Sequence, residues 1–166
     1  MDEVRFRDVL DANAAYAAGF RWPDLPAHAG RGLAVVTCMD SRITPLEMLG
    51  LGIGDAKILR NAGARVTDDV LRTLVVACHL LGVDRVMVIP HTGCRMAGLT
   101  EDEIHALILE ASGIDTRSLE FHTKPDQEAA LRHDVQRIRS WPLLPGGLAV
   151  GGFLYDTRTG RLRPVC

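Results

Sequence analysis

The sequence contains no apolar run long enough to cross a bilayer. Its longest apolar stretches, such as LVVAC and VMVIP, are far below the ~18 residues that a membrane-spanning helix needs. The chain also lacks a large excess of either charge, because acidic and basic residues are interspersed and sum to a formal charge of −2. Such a chain has no long-range field suited to nucleic acid or to an anionic membrane, so we expect neither as a partner.

No secretion signal is visible in the first residues. Residues 1–16 are charged and alternate in polarity, whereas a signal peptide has an apolar run of about 7 to 15 residues behind a basic start. The four cysteines are therefore expected to be thiols, metal ligands or core residues rather than disulfides, and the expected compartment is the cytoplasm. Cys78 lies on an apolar helical face and is interpreted as core, and Cys166 as an incidental free thiol.

The composition is that of an ordinary globular domain. The chain has 166 residues, of which 47% are hydrophobic and 24% charged, and it shows neither an internal repeat nor a low-complexity tract. A chain of this length buries about two-thirds of its unfolded surface in one core. We predict a single domain over residues 1–166, with an N-terminal helical arm at about residues 1–20.

Short apolar runs predict the strands of a sheet. GLAVVTC at residues 32–38 and DRVMVIP at 84–90 are typical of fully buried strands, and KILR at 57–60 predicts a third. Residues 147–165 predict two further strands around a turn from Asp156 to Gly160. This last pair is expected to form a hairpin.

Helix signals lie between these strands. Thr67 precedes an apolar stripe that runs to Leu81, and Thr44 and Thr100 each begin a capping-box pattern. A long amphipathic helix is predicted from Pro125. Strands and helices that alternate in this way predict a three-layer α/β domain, in which a mostly parallel central sheet has helices on both faces and ends in a C-terminal hairpin.

Three potential metal ligands follow two of the predicted strands. Cys38 ends the first strand, His91 directly follows Pro90, and Cys94 lies three residues beyond His91. Ligands collect at the carboxyl ends of strands in an open α/β sheet, so these side chains can meet although they are distant in sequence. Two thiolates and one imidazole suit Zn²⁺, and three protein ligands leave a fourth position open, as catalytic zinc requires.

Each of these residues has an ordinary structural alternative. A cysteine at a strand end is often a small buried hydrophobe, and His91 alone could be a loop histidine that caps a helix. Asp40 and Arg42 change the interpretation, because a carboxylate and a guanidinium beside a metal ligand form a charge-assisted pair with its own use in catalysis. The combination predicts a catalytic metal site.

The segments that carry these residues resemble the signature of the β-class carbonic anhydrases. Cys38 to Arg42 (CMDSR) and His91 to Cys94 (HTGC) are similar to the metal-binding segments of that family. Arg60 to Gly63 (RNAG) is similar to the loop between them, and GGFLYDTRTGRL to the closing hairpin. The resemblance covers residues 32 to 163 and is to the short bacterial members of the family.

The resemblance implies a zinc enzyme that interconverts CO2 and bicarbonate. It implies that Cys38, His91 and Cys94 hold the zinc and that Asp40 and Arg42 form a catalytic dyad. It also implies a homodimer or a larger assembly built from dimers. Asp40 in the fourth position on zinc would close the site, and pairing with Arg42 would pull the carboxylate away and open it.

Other interpretations of the chain remain open. Hydrolases of carbonyl sulfide or carbon disulfide resemble the same family, and a non-catalytic, zinc-dependent regulatory protein would keep the fold but would need neither Asp40 nor Arg42. Arg95 stands where the family commonly has glycine, and it either reshapes the substrate entrance or points to solvent. A nucleotide site at LGLGIGD is disfavoured, because its glycines follow a predicted helix rather than a strand.

Overall fold

The computed structural model describes residues 3–166, and within them a five-stranded sheet forms the centre. The sheet order is β2-β1-β3-β4-β5, with parallel pairing from β2 through β4 and an antiparallel β4–β5 pair. The carboxyl ends of the parallel strands therefore share one edge of the sheet. The strands are β1 (Leu33–Cys38), β2 (Ala56–Asn61), β3 (Arg85–Ile89), β4 (Ala149–Tyr155) and β5 (Leu162–Pro164).

Five α-helices accompany the sheet in the described chain, and side-chain caps fix where three of them begin. The Thr67 hydroxyl accepts a hydrogen bond from the Val70 amide at the start of α3, and Asp126 accepts one from Ala129 at the start of α5. A full capping box at Thr100 starts α4. The helices are α1 (Arg7–Ala18), α2 (Pro45–Met48), α3 (Asp68–Leu80), α4 (Glu101–Ser112) and α5 (Gln127–Arg139).

One face of the sheet is covered by α3 and α5. Alternate residues of β1, β3 and β4 point to this face and pack against apolar side chains of the two helices. Leu71 and Leu74 of α3, with Val135 and Ile138 of α5, are fully or almost fully buried there. Full burial of such a side chain stabilises a fold by about 1.5–3 kcal/mol, so this face carries much of the stability that comes from apolar burial.

The opposite face has a much thinner layer. Leu33, Val35 and Ile89 are buried on it, but the four-residue helix α2 and the loop that follows it are what cover them. An open cleft of about 530 Å³ lies on this face. Its lining includes the apolar side chains of Leu49, Leu51, Met87 and Phe153. Part of the sheet's second face is therefore left accessible in a single chain.

The N-terminal arm packs against little of the rest of the described chain. Helix α1 contains no buried residue, and a short 3₁₀ turn, Glu3–Phe6, precedes it. Met1 and Asp2, which belong to the predicted arm, lie outside the described residues. Exposed apolar side chains recur along the arm at helical spacing, namely Phe6, Val9, Leu10, Tyr16 and Phe20.

The predicted α/β class, the mostly parallel sheet and the C-terminal hairpin are confirmed. The helical layers are less even than expected, because α2 has only four residues. Thr44 bonds the Glu47 carboxylate at 3.0 Å and makes no side-chain bond to the helix backbone, so the expected capping box is incomplete there. Strand β2 extends one residue beyond the predicted 57–60 segment at each end. Across residues 3–166, none of the helices is both long and apolar enough to traverse a bilayer.

Candidate metal centre

Three predicted ligand residues meet at the carboxyl edge of the sheet. Cys38 is the last residue of β1, and His91 follows β3 and bridges to Tyr155 of β4. Gly93 adopts a φ of 66°, a left-handed conformation that glycine accommodates without strain, in the turn between His91 and Cys94. The ligand atoms of Cys38, His91 and Cys94 all lie within 4.8 Å of one another.

The two sulfurs have the spacing of ligands to one ion. They are 4.0 Å apart, whereas a disulfide bond is about 2.05 Å long. Two sulfurs at about 2.3 Å from a single tetrahedral zinc ion would be about 3.8 Å apart. Cys38, His91 and Cys94 are each at most 8% exposed, so an ion held between them would be shielded from water on the protein side.

His91 presents a free lone pair to this cluster. Its Nδ1 lies 3.0 Å from the Thr92 carbonyl oxygen, which can only accept, so Nδ1 carries the proton and donates. When the ring is neutral, Nε2 is then the unprotonated nitrogen, and it is buried with no hydrogen-bond partner. An unpartnered buried nitrogen costs free energy unless a ligand satisfies it, so this atom indicates a metal position.

The pKa values of the two thiols also favour a bound cation. The Cys94 thiol donates to the Cys38 sulfur and lowers the pKa of Cys38 to about 3 against the opposing effect of burial. The same interaction, together with burial, raises the pKa of Cys94 above its ordinary value. Without a cation the pair gives up one proton readily and resists losing the second. A divalent ion removes that resistance, so the donor set fits zinc.

Asp40 and Arg42 form a two-pronged ion pair beside the cluster. Arg42 Nε donates to Asp40 Oδ1 at 2.9 Å, and Nη2 donates to Oδ2 at 2.7 Å. These bonds hold the pKa of the Asp40 carboxyl well below its usual range. Arg42 also donates to the Gly93 carbonyl at 3.3 Å, which ties the pair to the turn that carries His91. Asp40 is therefore ionised and oriented, with Oδ2 3.7 Å from His91 Nε2.

Arg60 shapes the loop between Cys38 and Asp40, and the sequence patterns did not single it out. Its Nε donates to the Cys38 carbonyl at 3.0 Å, and its Nη2 donates to the Asp40 carbonyl at 2.7 Å. One guanidinium thus holds the backbone on both sides of the exposed Met39. The only sequence signal was the RNAG segment of the family resemblance, which assigned Arg60 no role.

The RNAG turn also touches the cluster directly. The Gly63 amide donates to the Cys38 sulfur at 3.4 Å. Asn61 closes the turn, because its side chain donates to the Arg65 carbonyl and accepts from the Arg65 amide. Gly63 has a φ of 80°, and a Cβ there would lie 3.1 Å from Met96 Cβ, so a larger residue would disturb the turn.

The segment that carries His91 is held by two distant elements. Gln127 of α5 donates from Nε2 to the His91 carbonyl at 2.8 Å. The Thr92 amide donates to the Tyr155 carbonyl at 2.9 Å, and the Thr157 amide donates to the Thr92 hydroxyl at 3.1 Å. These contacts leave no signal in the sequence, since nothing in the chain near Gln127 or Thr157 indicates what those residues face.

A mostly apolar groove of about 540 Å³ opens onto the site. Cys38, Asp40 and Cys94 line one part of it. The exposed Arg95 also lines the groove, so it borders the space in front of the predicted metal ligands. The apolar wall comes from α4 and the loop after it, through Ile104, Leu107, Ile108, Ala111 and Phe121.

Comparison with known proteins gives the same assignment by three routes. A family model described as carbonic anhydrase matches residues 33–162. The chain is 38% identical over 159 residues to Beta-carbonic anhydrase 1 of Mycobacterium tuberculosis, covering 95% of this chain and 96% of that protein. It is similar to the crystal structure of carbonic anhydrase from Streptococcus mutans, with a TM-score of 0.92, 38% identity and 97% of both chains covered.

A further relative has a different activity in its name. The chain is 30% identical over 154 residues to a carbon disulfide hydrolase of Acidithiobacillus thiooxidans, covering 81% of this chain and 77% of that protein. The family model and the two carbonic anhydrases nevertheless span almost the whole α/β domain that carries the Cys-His-Cys cluster. The chain belongs to the β-carbonic anhydrase family.

Proposed function

We propose that this chain catalyses the reversible hydration of CO2 to bicarbonate and a proton as a zinc enzyme. The observation that carries the proposal is the buried His91 Nε2 atom, which has no hydrogen-bond partner and faces two thiols, with an ionised carboxylate 3.7 Å away. The relatives named carbonic anhydrase support CO2 as the substrate.

Cys38, His91 and Cys94 would hold the zinc ion. When bound by three protein ligands, zinc supplies the acidification that brings the pKa of a water toward neutral pH. The chain contributes two sulfurs and a nitrogen whose tautomer is already fixed by the Nδ1 bond to Thr92. The Gly63 amide helps to hold the Cys38 sulfur in place.

Asp40 and Arg42 would act as the catalytic pair. The two bonds from Arg42 keep the Asp40 carboxylate ionised and turned toward the guanidinium. In this position Asp40 accepts a hydrogen bond from the reacting water and orients that water toward CO2. Arg42 also competes with the metal position for the same carboxylate, which favours the open state of the site over the closed one.

The groove would admit CO2 to this pair. CO2 is uncharged and apolar, and so is most of the wall formed by α4 and Phe121. An apolar approach favours CO2 over water and ions, because charged species lose hydration when they enter it. Cys38, Asp40 and Cys94 line one part of the groove, where the substrate would meet the reacting water.

Metal analysis combined with stopped-flow CO2 hydration tests the proposal. We expect one zinc per chain and rapid hydration, and we expect Asp40→Asn to keep the zinc and lose most of the rate. Asp102→Asn is the matched control, because Asp102 is an exposed carboxylate in the first turn of α4. A zinc-loaded protein that hydrates CO2 no faster than buffer would refute the proposal.

Carbon disulfide or carbonyl sulfide is the second candidate substrate. The 30% identity to carbon disulfide hydrolases and the apolar groove favour it, because these molecules are also linear and apolar. Sulfide release and CO2 hydration measured on the same preparation distinguish the two. Sulfide release with no CO2 hydration would replace the first proposal by this one.

We also propose that the chain forms a homodimer in which each arm packs on the partner. The arm exposes an apolar stripe with no covering in its own chain, and the sheet's second face exposes an apolar cleft in the same described chain. Two copies related by a two-fold axis satisfy both surfaces reciprocally. Tetrameric members exist among more distant structural relatives, so a larger assembly of dimers is also compatible with the fold.

Sedimentation of a chain that lacks residues 1–20 tests the dimer. We expect the full chain to sediment as a dimer or larger species and the shortened chain as a monomer with its zinc retained. A Leu10→Asp, Tyr16→Asp variant of the full-length chain checks that loss of the apolar stripe has the same effect. A shortened chain that remains dimeric would contradict the role of the arm.

We infer a cytoplasmic location from the cysteines. All four are free, and Cys38 and Cys94 serve the proposed site only in reduced form. Detection of the protein in the cytoplasmic fraction of its cells would support this location, and detection outside the cells would oppose it.

A further inference from the structure

We infer that Arg95 binds the bicarbonate anion in the groove and thereby sets the affinity of the enzyme for its charged substrate. The inference rests on the proposed CO2–bicarbonate reaction. It concerns a residue that stands outside both the ligand set and the Asp40–Arg42 pair.

Arg95 supplies the unbalanced charge of the groove. Among the described side chains that line it, Asp40 and Arg95 are the ones with a formal charge apart from the two sulfurs, whose thiolate charges a bound zinc ion would balance. The charge of Asp40 is already balanced by Arg42, which donates to both carboxylate oxygens. The remaining wall is apolar, so the field that an incoming anion meets there comes largely from Arg95.

The guanidinium of Arg95 is free to take a ligand. Within the part of the chain that the structure describes, no carboxylate forms an ion pair with it, in contrast to Arg42, Arg65 and Arg72. Arg95 begins a 3₁₀ turn directly after Cys94, so its backbone is anchored beside a predicted metal ligand. The guanidinium is therefore tethered next to the candidate metal site and has no carboxylate partner within the described residues.

The two substrates of the reaction differ in the property that Arg95 recognises. Bicarbonate carries a negative charge and a planar pair of oxygens that matches the guanidinium fork, whereas CO2 carries no charge. Entry of an anion into an apolar groove costs hydration free energy, and a nearby cation offsets that cost. Arg95 therefore acts on bicarbonate and leaves CO2 almost unaffected.

The equilibrium constant of the reaction limits what a change at Arg95 can do. It requires kcat/KM of hydration and of dehydration to change by the same factor. If Arg95 stabilises bound bicarbonate, its loss raises the KM for bicarbonate and the bicarbonate concentration that inhibits hydration, while both kcat/KM values stay within about twofold. A merely structural role would instead lower kcat/KM in both directions.

The test compares zinc-loaded Arg95→Gln with the zinc-loaded wild-type enzyme and with Arg72→Gln. Arg72 is an exposed arginine of α3 outside the groove, so this control makes the same change in net charge. We expect Arg95→Gln to raise the bicarbonate inhibition constant about three- to tenfold, the range for two unit charges about 6 Å apart at an effective dielectric constant of about 40 to 80, as suits a solvent-exposed guanidinium. The KM for CO2 and the result for Arg72→Gln should stay within about twofold of wild type.

A second readout does not depend on turnover. Labelling of arginines with a dicarbonyl reagent is followed by mass spectrometry, at constant ionic strength, with either bicarbonate or chloride present. We expect bicarbonate to slow the labelling of Arg95 and not of Arg72. Equal bicarbonate inhibition in Arg95→Gln and Arg72→Gln, or unprotected labelling of Arg95, would overturn the inference. A wild-type enzyme without CO2 hydration would instead overturn the proposed function itself.

Discussion

The candidate metal centre and the N-terminal arm differ in how firmly their own chain holds them in place. Around the metal centre, the carbonyls of Cys38, Asp40 and His91 each accept a hydrogen bond from a side chain of the same chain. Helix α1 has no buried residue and exposes its apolar stripe. The difference teaches that one chain holds its candidate metal ligands in place, whereas its arm leaves an apolar stripe exposed, which the proposed dimer would cover. Metal binding and assembly should therefore be separable by substitution.

Loss of a ligand should have the largest effect and should leave assembly intact. We expect Cys94→Ser to lose zinc and to hydrate CO2 no faster than buffer, because the oxygen of serine replaces one of the two sulfurs. Metal analysis and stopped-flow assays measure both changes, and sedimentation should still report the wild-type oligomer. Cys78→Ser is the matched control, since Cys78 lies on α3 away from the cluster. Dissociation of Cys94→Ser into monomers would show that assembly depends on metal binding.

Removal of the dyad arginine should separate binding from turnover within the site. We expect Arg42→Ala to keep its zinc and to lose about 100-fold in kcat, because Asp40 loses the two bonds that orient it. Zinc content and stopped-flow kinetics measure the two quantities on one sample. Arg42→Lys should recover only part of the rate, since lysine lacks the two-pronged geometry. Near-normal turnover by zinc-loaded Arg42→Ala would remove the dyad from the mechanism.

The same leucine-to-alanine change should affect the free energy of unfolding differently in the core and in the arm. Leu74→Ala, on the α3 face of the sheet, should lower the free energy of unfolding by about 2–5 kcal/mol, because it leaves a cavity at a fully buried position. Leu10→Ala, where the side chain is 52% exposed, should shift mainly the part of the stability that depends on protein concentration. Urea unfolding at several concentrations measures both. A concentration-independent loss of similar size for Leu10→Ala would show that the arm packs within its own chain.

Among these site variants, the smallest loss of turnover is expected at Arg60. Arg60→Gln should retain zinc and lower kcat about tenfold, because the carbonyls of Cys38 and Asp40 lose their common donor and the loop between them loosens. Kinetics of the zinc-loaded variant measure this, with Arg31→Gln as a control at an exposed arginine that pairs with Asp55. An unchanged kcat would mean that the loop keeps its shape without the bonds from Arg60.

The meeting of Cys38, His91 and Cys94 was predictable because these residues lie at or just beyond strand ends. Cys38 and His91 follow buried apolar runs, and parallel strands bring such ends to one edge. Arg60 and Gln127 gave no comparable signal, because their partners are backbone carbonyls far along the chain. A side chain that bonds a distant backbone carbonyl creates no recognisable spacing of residues in the sequence.

The uneven covering of the sheet escaped prediction for a related reason. In the run LAVVTC, Leu33 and Val35 look the same as Ala34 and Val36, and all four are buried. Alternation assigns the two pairs to opposite faces but does not say what covers each face. Two long helices cover one pair, while the four-residue α2 and a loop cover the other. The length of a covering helix depends on tertiary packing that the strand pattern does not record.

The bonds between Thr92 and the β4–β5 hairpin have a consequence for biosynthesis. A ribosome adds residues from the N-terminus onward, so Cys38, His91 and Cys94 all emerge before Tyr155 and Thr157, which hold the Thr92 backbone and hydroxyl. During that interval a nascent chain has all three proposed donors for the ion but lacks the hairpin that holds Thr92, whose carbonyl oxygen accepts the imidazole proton. Metal acquisition by a ribosome-bound chain should accordingly be weaker and more reversible than by the finished protein.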